Sequence, residues 1–520
     1  MKKYLLAIDG GTGSVRAVLF NLEGEQVGLA QREWHHPEDP LYPGSIDFDC
    51  EQNWQLIVSC LHEIVDHYQI APEEIAAIST TSMREGFVVY DQRGKELMAF
   101  SNVDARSKME AVSLKTNEPE LEKEVYQLTG ESFALSAIPR ILWLKNNKPD
   151  IYEKMTTINM LNDWIAYKLS GELTTEPSNA STTGLFSLSS RSWNVELADR
   201  LHIKSTIFPK VIESGSIIGH VTEFASSETG LAVNTPIVAG GGDAQLGTIG
   251  VGATKKDQAI LFGGSFWQLE YNVSQPTIDP NYKIRGNCHA ISNLWQLEAI
   301  AWSPGLAMKW FRDAFCQHEK TWAKENNSVV YDLLDSHIHD IPAGSYGMYA
   351  LFSNSMDFLN LKHAAPTFIN FQLDATKFNK YTFYKAIMES AGIVSYSHLE
   401  YITELVQVSP QKLIFAGGAS QNKTWCQIIA DIMGIPVITP KVKEATALGA
   451  ALLAGLGVGL YQNIDEIETF IKWDKTYYPN IENHQHYQKI YKNWREIYQT
   501  QLTLADKKLT EHMWIAPGVK

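Results

Sequence analysis

The stretch AIDGGTGSVRAVLFNLEGE, residues 7–25, decides how this chain is read. Residues 3–8 and 15–20 are rich in Leu, Ile and Val and short enough to be strands. The link between them, Asp9-Gly10-Gly11-Thr12-Gly13-Ser14, is too short for a helix, so the segment reads as a β-hairpin with a turn of small residues. Glycine permits positive φ and close approach to bare backbone, and a turn of exposed N–H groups cradles anions such as phosphate. A Rossmann fingerprint needs a helix where a second strand follows here. A Walker loop needs a terminal lysine, and between Lys3 and Lys95 there is none. A plain glycine-rich hairpin remains the alternative for this stretch alone. Asp9 points further, because a carboxylate beside a phosphate loop repels the phosphate unless a cation such as Mg²⁺ lies between them.

Outward from that hairpin, the chain of 520 residues is too long for one core. A net charge of −15 argues against a general nucleic-acid binder, which needs a basic face. The five cysteines (Cys50, Cys60, Cys288, Cys316 and Cys426) form no CxxC pair, which predicts reduced thiols in a cytoplasmic protein and no zinc site. The apolar run before Asp9 is too short for a signal peptide. The uncharged stretch 445–461 falls short of the ~20 residues of a membrane span. Its Ala and Gly content predicts a tightly packed internal helix.

A second glycine hairpin occurs half a chain later. DQAILFGGSFWQLEYNV, residues 257–273, sets Gly263, Gly264 and Ser265 between two strand-like runs. Two such hairpins predict a duplicated α/β fold with mixed sheets, its two phosphate loops facing one cleft. Between them, Trp54, Ile57, Leu61 and Ile64 share a helical face headed by Asp49, and IAAISTTSMREGFVVYD reads as two strands interrupted at Met83–Glu85. In the second half, Trp425, Ile428, Ile429 and Ile432 predict a helix closed by Gly434.

Four clusters carry candidate chemistry. VAGGGDAQLGTIGVG, residues 238–252, offers Asp243 as a carboxylate that could orient a substrate hydroxyl in phosphoryl transfer, with an Asp capping the following helix as the alternative. IFAGGASQNKTW, residues 414–425, reads as strand, glycine turn and helix start, suited to a phosphate or a flat base at Gly417 and Gly418 or to simple packing. The small-residue helix after Glu444 reads as core. Arg84 and Glu85, with Asn102, Asp104 and Arg106, suit a polyhydroxylated substrate, although surface salt bridging explains either stretch singly. No G-x-S-x-G elbow is present, and the adjacent His35 and His36 lack ligand spacing.

The order of LAIDGGTGSVRAVLF, MREG, GGGDAQLG, LFGGSFW and FAGGASQNKTWCQIIADIMGIPVITPKVKEATALGAALLAGLGVG resembles the FGGY carbohydrate kinases over residues 1–475. The resemblance implies a duplicated ribonuclease-H-like (actin-like ATPase) fold, with two domains around an ATP/substrate cleft. Its implied boundaries are 1–250, 251–475 and a C-terminal extension at 476–520. It implies ATP and Mg²⁺ as cofactors and Asp243 as catalytic base. Asp9 and Asp243 would face the metal. Gly11, Thr12, Gly13, Ser14, Arg16, Gly263, Gly264, Gly417, Gly418 and Asn422 would bind nucleotide. Arg84, Glu85, Asp104, Asp243 and Trp267 would bind substrate. Gly-Gly-Ser in the second loop and Leu135 at an aromatic position depart from the glycerol-binding pattern. NVDAR, ALSAIPR, WFRDAFC, HAAPTFIN and WIAPG are similar to the branch that acts on open-chain autoinducer-2, which implies phosphorylation of that signal at its primary hydroxyl. A pentulose or polyol kinase and an actin-like ATPase are the alternatives. No nucleic-acid or membrane partner is expected.

Overall fold

Residues 2–519 are described by a computed structural model. The opening hairpin is β1 (Tyr4–Gly10) and β2 (Ser14–Asn21), continued antiparallel by β3 (Gln26–Glu33). Asp49 then caps α1 (Cys50–His67), its Oδ1 accepting from the Gln52 N–H at 2.9 Å, and the helix buries Trp54, Ile57, Leu61 and Ile64. β4 (Ile75–Ser82) lies parallel to β1. After α2 (Leu161–Ser170), β5 (Ile217–His220) and β6 (Pro236–Gly242) complete a six-stranded sheet of order β5-β6-β4-β1-β2-β3. The chain leaves β6 directly into α3 (Asp243–Gly250).

The second half repeats this plan. β7 (Ala259–Gly263) and β8 (Trp267–Val273) form the second hairpin, β9 (Arg285–Cys288) and β10 (Trp295–Ala301) extend it antiparallel, and α4 (Pro304–Phe315) and α5 (Lys380–Val406) follow. β11 (Leu413–Ala416), α6 (Lys423–Met433), β12 (Val437–Pro440), α7 (Ala445–Gly457) and β13 (Trp473–Tyr477) close the unit. The sheet order is β9-β10-β8-β7-β11-β12-β13. In both halves a hairpin has antiparallel strands on one side and two parallel strands on the other, and a helix follows the second parallel strand. This is the duplicated ribonuclease-H-like arrangement.

Those two equivalent helices, α3 and α7, form the seam. A Cβ on Gly250 would lie 1.8 Å from the Ala445 carbonyl oxygen, and one on Gly449 would lie 1.9 Å from that of Leu246. Backbone meets backbone, which is why this crossing is written in Gly and Ala. The other face of α7 packs Ala447, Ala450, Ala451 and Ala454 into one core with Leu5, Ala7, Val18 and Phe20 of the N-terminal sheet. No described helix is long and apolar enough to cross a membrane. At the C-terminus, α8 (Ile481–Asp506) buries Tyr487, Tyr491, Trp494 and Tyr498 in the second core, and β14 (His512–Ile515) pairs with residues 362–364.

Candidate active site

β1 and β2 stay paired to Gly10 opposite Val15, leaving Gly11–Gly13 as the turn. No atom lies within 4 Å of where a Gly13 Cβ would be, so that backbone faces open space. Neighbouring side chains hold the turn. The Trp34 indole N–H donates to the Thr12 carbonyl at 3.2 Å, the Trp34 backbone N–H to that of Gly13 at 3.3 Å, and Asn102 Nδ2 to Thr12 Oγ1 at 3.2 Å. Asp9 belongs to the strand, not to the turn, and lies in register with Arg16. Arg16 Nη1 stands 3.6 Å from the Asp9 carboxylate and 3.2 Å from Glu444 at the head of α7, tying the first turn to the second half. Burial pushes Asp9 up to about 7, with Arg16 opposing the rise and Asp243 and Glu444 adding to it.

Asp243 is the first residue of α3. Gly242 occupies the capping position, and the Asp243 carboxylate accepts from the Ala244 N–H at 2.8 Å. The side chain keeps 42% of its surface, enough to meet a ligand in the cleft. Arg84 Nε lies 3.5 Å from it. Burial raises Asp243 to about 6, Arg84 opposing and Glu85 adding to the shift. Arg84 and Glu85 follow the end of β4, which runs parallel to β6, so the sheet itself delivers both groups to the mouth of α3. Glu85 sits at φ 64°, a conformation a side chain other than glycine's tolerates only when surroundings impose it. Its N–H donates to Thr182 Oγ1 at 3.3 Å, its carbonyl accepts from Arg140 Nη1 at 2.8 Å, and its carboxylate accepts from Arg285 Nη2 at 2.6 Å.

In the second half, the turn exposes Gly264 and Ser265, and Gly417 and Gly418 lie beside its Gly263. Gly417 has φ 90°, and a Cβ there would lie 2.9 Å from the Gly263 carbonyl oxygen, so this position needs glycine twice over. A cavity of about 380 Å³ opens behind these turns, lined by Gly264, Met308, Tyr331, Tyr384, Asn422 and Trp425 among others. Asn422 caps α6, its Oδ1 accepting from the Trp425 N–H at 2.8 Å, which leaves its amide nitrogen 3.5 Å from the Tyr384 hydroxyl.

Two expectations of the sequence need correction. Trp267 is fully buried and packs on Phe415 and Trp425, so it supports the glycine turns from below and walls no substrate space. The Asp104 side chain has no exposed surface: it accepts from Arg106 Nε at 2.8 Å and from the Ile46 N–H at 2.8 Å, while Arg106 also reaches Asp47. It braces a loop. The salt-bridging alternative for Arg84 and Glu85 also needs revision, since Arg84 is buried and its close partner, Glu298 at 2.6 Å, comes from the other half of the chain. Sequence reading missed Glu298, Glu270, Arg285 and Glu131. The available signal was a lone acid in each of two apolar strands, WQLEYNV and WQLEAIA.

The chain matches the FGGY family of carbohydrate kinases, N-terminal domain, over residues 4–250 and its C-terminal domain over residues 270–458. It is 45% identical over 520 residues to the autoinducer-2 kinase of Escherichia coli (strain K12), covering all of this chain and 98% of that protein. It is 46% identical over 518 residues to the autoinducer-2 kinase of Yersinia enterocolitica, covering 99% and 98%. In shape it is similar to ligand-bound xylulose kinase from Lactobacillus acidophilus, with a TM-score of 0.84, 24% identity and coverage of 98% and 100%. With both family domains matched in order around one cleft, the chain belongs to the FGGY family of carbohydrate kinases.

Proposed function

We propose that this kinase transfers the γ-phosphoryl group of ATP to the primary hydroxyl of open-chain autoinducer-2. One observation supports the chemistry above the rest: a half-exposed Asp243 lies 3.5 Å from Arg84 and close enough to Asp9, in the strand that leads into the first glycine turn, to raise its pKa. The full-length likeness to two autoinducer-2 kinases supports the substrate.

Phosphoryl transfer depends mostly on positioning and on electrostatic stabilisation. Backbone N–H groups of Gly11–Ser14 and of Gly264–Ser265 supply donors to phosphate oxygens from two sides. The open space over Gly13 suits such a ligand, because no side chain competes for it. The cavity beside Tyr331 and Tyr384 suits the base. Arg84 and Glu85, one donor and one acceptor, orient neighbouring hydroxyls or carbonyls of the substrate. Asp243 accepts the proton of the attacking hydroxyl. Asp9 and Asp243 would hold Mg²⁺ together with water: no cluster of three or more metal-ligating side chains occurs among the described residues, and Mg²⁺ commonly makes do with one or two carboxylates. That ion supplies charge neutralisation at the phosphates. Since no cysteine of the described chain is paired, a cytoplasmic setting belongs to the same proposal.

The pH profile follows from the two carboxyl groups. Asp243 must be ionised to accept a proton, and Asp9 must be ionised to attract the cation. With values of about 6 and about 7 for the metal-free protein, kcat/KM is expected to begin falling near pH 7 and to steepen past a slope of one only below about pH 6. A profile that stays level down to pH 5 at limiting Mg²⁺ would remove both groups from these roles.

The direct test is ATP consumption by the purified protein with dihydroxypentanedione, with xylulose, ribulose and glycerol, and without any sugar. Turnover on the first alone is expected. Preference for a pentulose or glycerol keeps the mechanism and replaces the substrate, whereas sugar-independent hydrolysis overturns the kinase reading.

A further inference from the structure

The two side chains assigned to substrate recognition come from the N-terminal half, yet the groups that hold them come from the C-terminal sheet. Arg84 Nη2 lies 2.6 Å from Glu298 of β10, and the Glu85 carboxylate lies 2.6 Å from Arg285 Nη2 of β9. Arg285 also binds Glu298 at 3.2 Å and Glu131 at 2.6 Å, so one continuous chain of charges runs under the cleft. Glu298 and Arg285 are adjacent because the register sets them directly opposite each other, with Glu270 of β8 on the other side of Glu298. Glu298, Glu270 and Arg285 are all completely buried.

We infer that Glu298 and Arg285 are positioning residues for substrate recognition, fixing Arg84 and Glu85 from across the domain seam. The inference rests on the kinase reading. A long, flexible arginine side chain has many rotamers open to it, so an unheld Arg84 samples many orientations. Besides Glu298, the carboxylate within 4 Å of it among the described residues is Asp243, at 3.5 Å, with Glu85 and Glu270 farther off. Released from Glu298, the guanidinium closes on Asp243 and occupies the oxygen that a substrate hydroxyl must reach. Arg285 does the converse for Glu85, pinning a carboxylate whose backbone is already held at φ 64°. Stability alone is a poor reason for such a network, since replacing buried ion pairs by packed apolar residues is often neutral or stabilising. Here the network ends on the two groups that face substrate. One guanidinium nitrogen, Arg84 Nη1, is buried with no hydrogen-bond partner among the described residues.

The test is a full kinetic comparison of Glu298→Gln and Glu298→Asp with the wild-type protein, on whichever sugar the wild type phosphorylates. Glu298→Gln is expected to raise the sugar KM at least tenfold while the ATP KM stays within twofold, and Glu298→Asp, which keeps the charge, to recover most of that loss. An unchanged sugar KM, or sugar and ATP KM rising together, overturns the inference and leaves the kinase reading standing. A wild-type protein without sugar-dependent turnover overturns both. Should Glu298→Gln not fold, Arg285→Lys keeps the charge but loses the fork that spans Glu85, Glu131 and Glu298. The same split between sugar and ATP KM is expected there, and its absence counts equally against the inference.

Discussion

Asp243→Asn is expected to bind nucleotide normally and to lose phosphoryl transfer by about 100- to 10,000-fold, the usual weight of a positioned general base. The fold should tolerate the change. Asparagine is nearly isosteric, its side-chain oxygen can still accept from the Ala244 N–H, and the residue packs against no apolar core. Removing a charge that burial has already pushed up to about 6 relieves the folded state instead of straining it. Charge balance also favours the variant, because Arg84 retains its closer partner, Glu298. Nucleotide affinity by calorimetry and single-turnover transfer separate the two effects. Transfer near the wild-type rate would assign the base to another group. A matching loss of nucleotide affinity would make Asp243 chiefly a cation ligand.

The second large effect is structural. Gly449→Ala is expected to destabilise the protein by about 1–3 kcal/mol or more, the cost of overpacking a tight interior. The added methyl would sit 1.9 Å from the Leu246 carbonyl oxygen, which belongs to the backbone of α3 and has no rotamer to escape into. Because α3 and α7 cross between the halves, the helices must separate, and Asp243 at the start of α3 moves with them. Thermal unfolding and turnover should therefore fall together. A melting temperature unchanged within a degree would show that the seam yields easily, contrary to the backbone-to-backbone contact. Gly459, two residues beyond the end of α7, is the control: nothing lies within 4 Å of its Cβ position, so a loss there reflects only its φ of 76°.

Much of the fold was legible because its signals are local. Strand and helix spacing, the Asp49 cap, the Gly434 stop and the two glycine turns all act within a few residues, and each appears where the sequence placed it. Asp104 and Trp267 misled for a common reason. A polar residue near the site looks the same in sequence whether it points at a ligand or braces a loop, and an aromatic next to a glycine turn looks the same above it or below it. Only the partners decide: Arg106 and the Ile46 N–H take Asp104, and Phe415 with Trp425 take Trp267.

By itself, then, the sequence determined the duplicated α/β plan, the glycine hairpin turns around Gly11–Gly13 and Gly263–Gly264, and Asp243 as the acid among the glycines, since each is carried by residue type at short spacing. The tertiary structure alone decided which charges meet. Glu85 and Arg285 are 200 residues apart in sequence, and Arg84 and Glu298 farther still; neither pair exists until the two halves pack together through α3 and α7. Ion pairing depends on distance in space and on shared burial, and neither quantity is written in the order of residues.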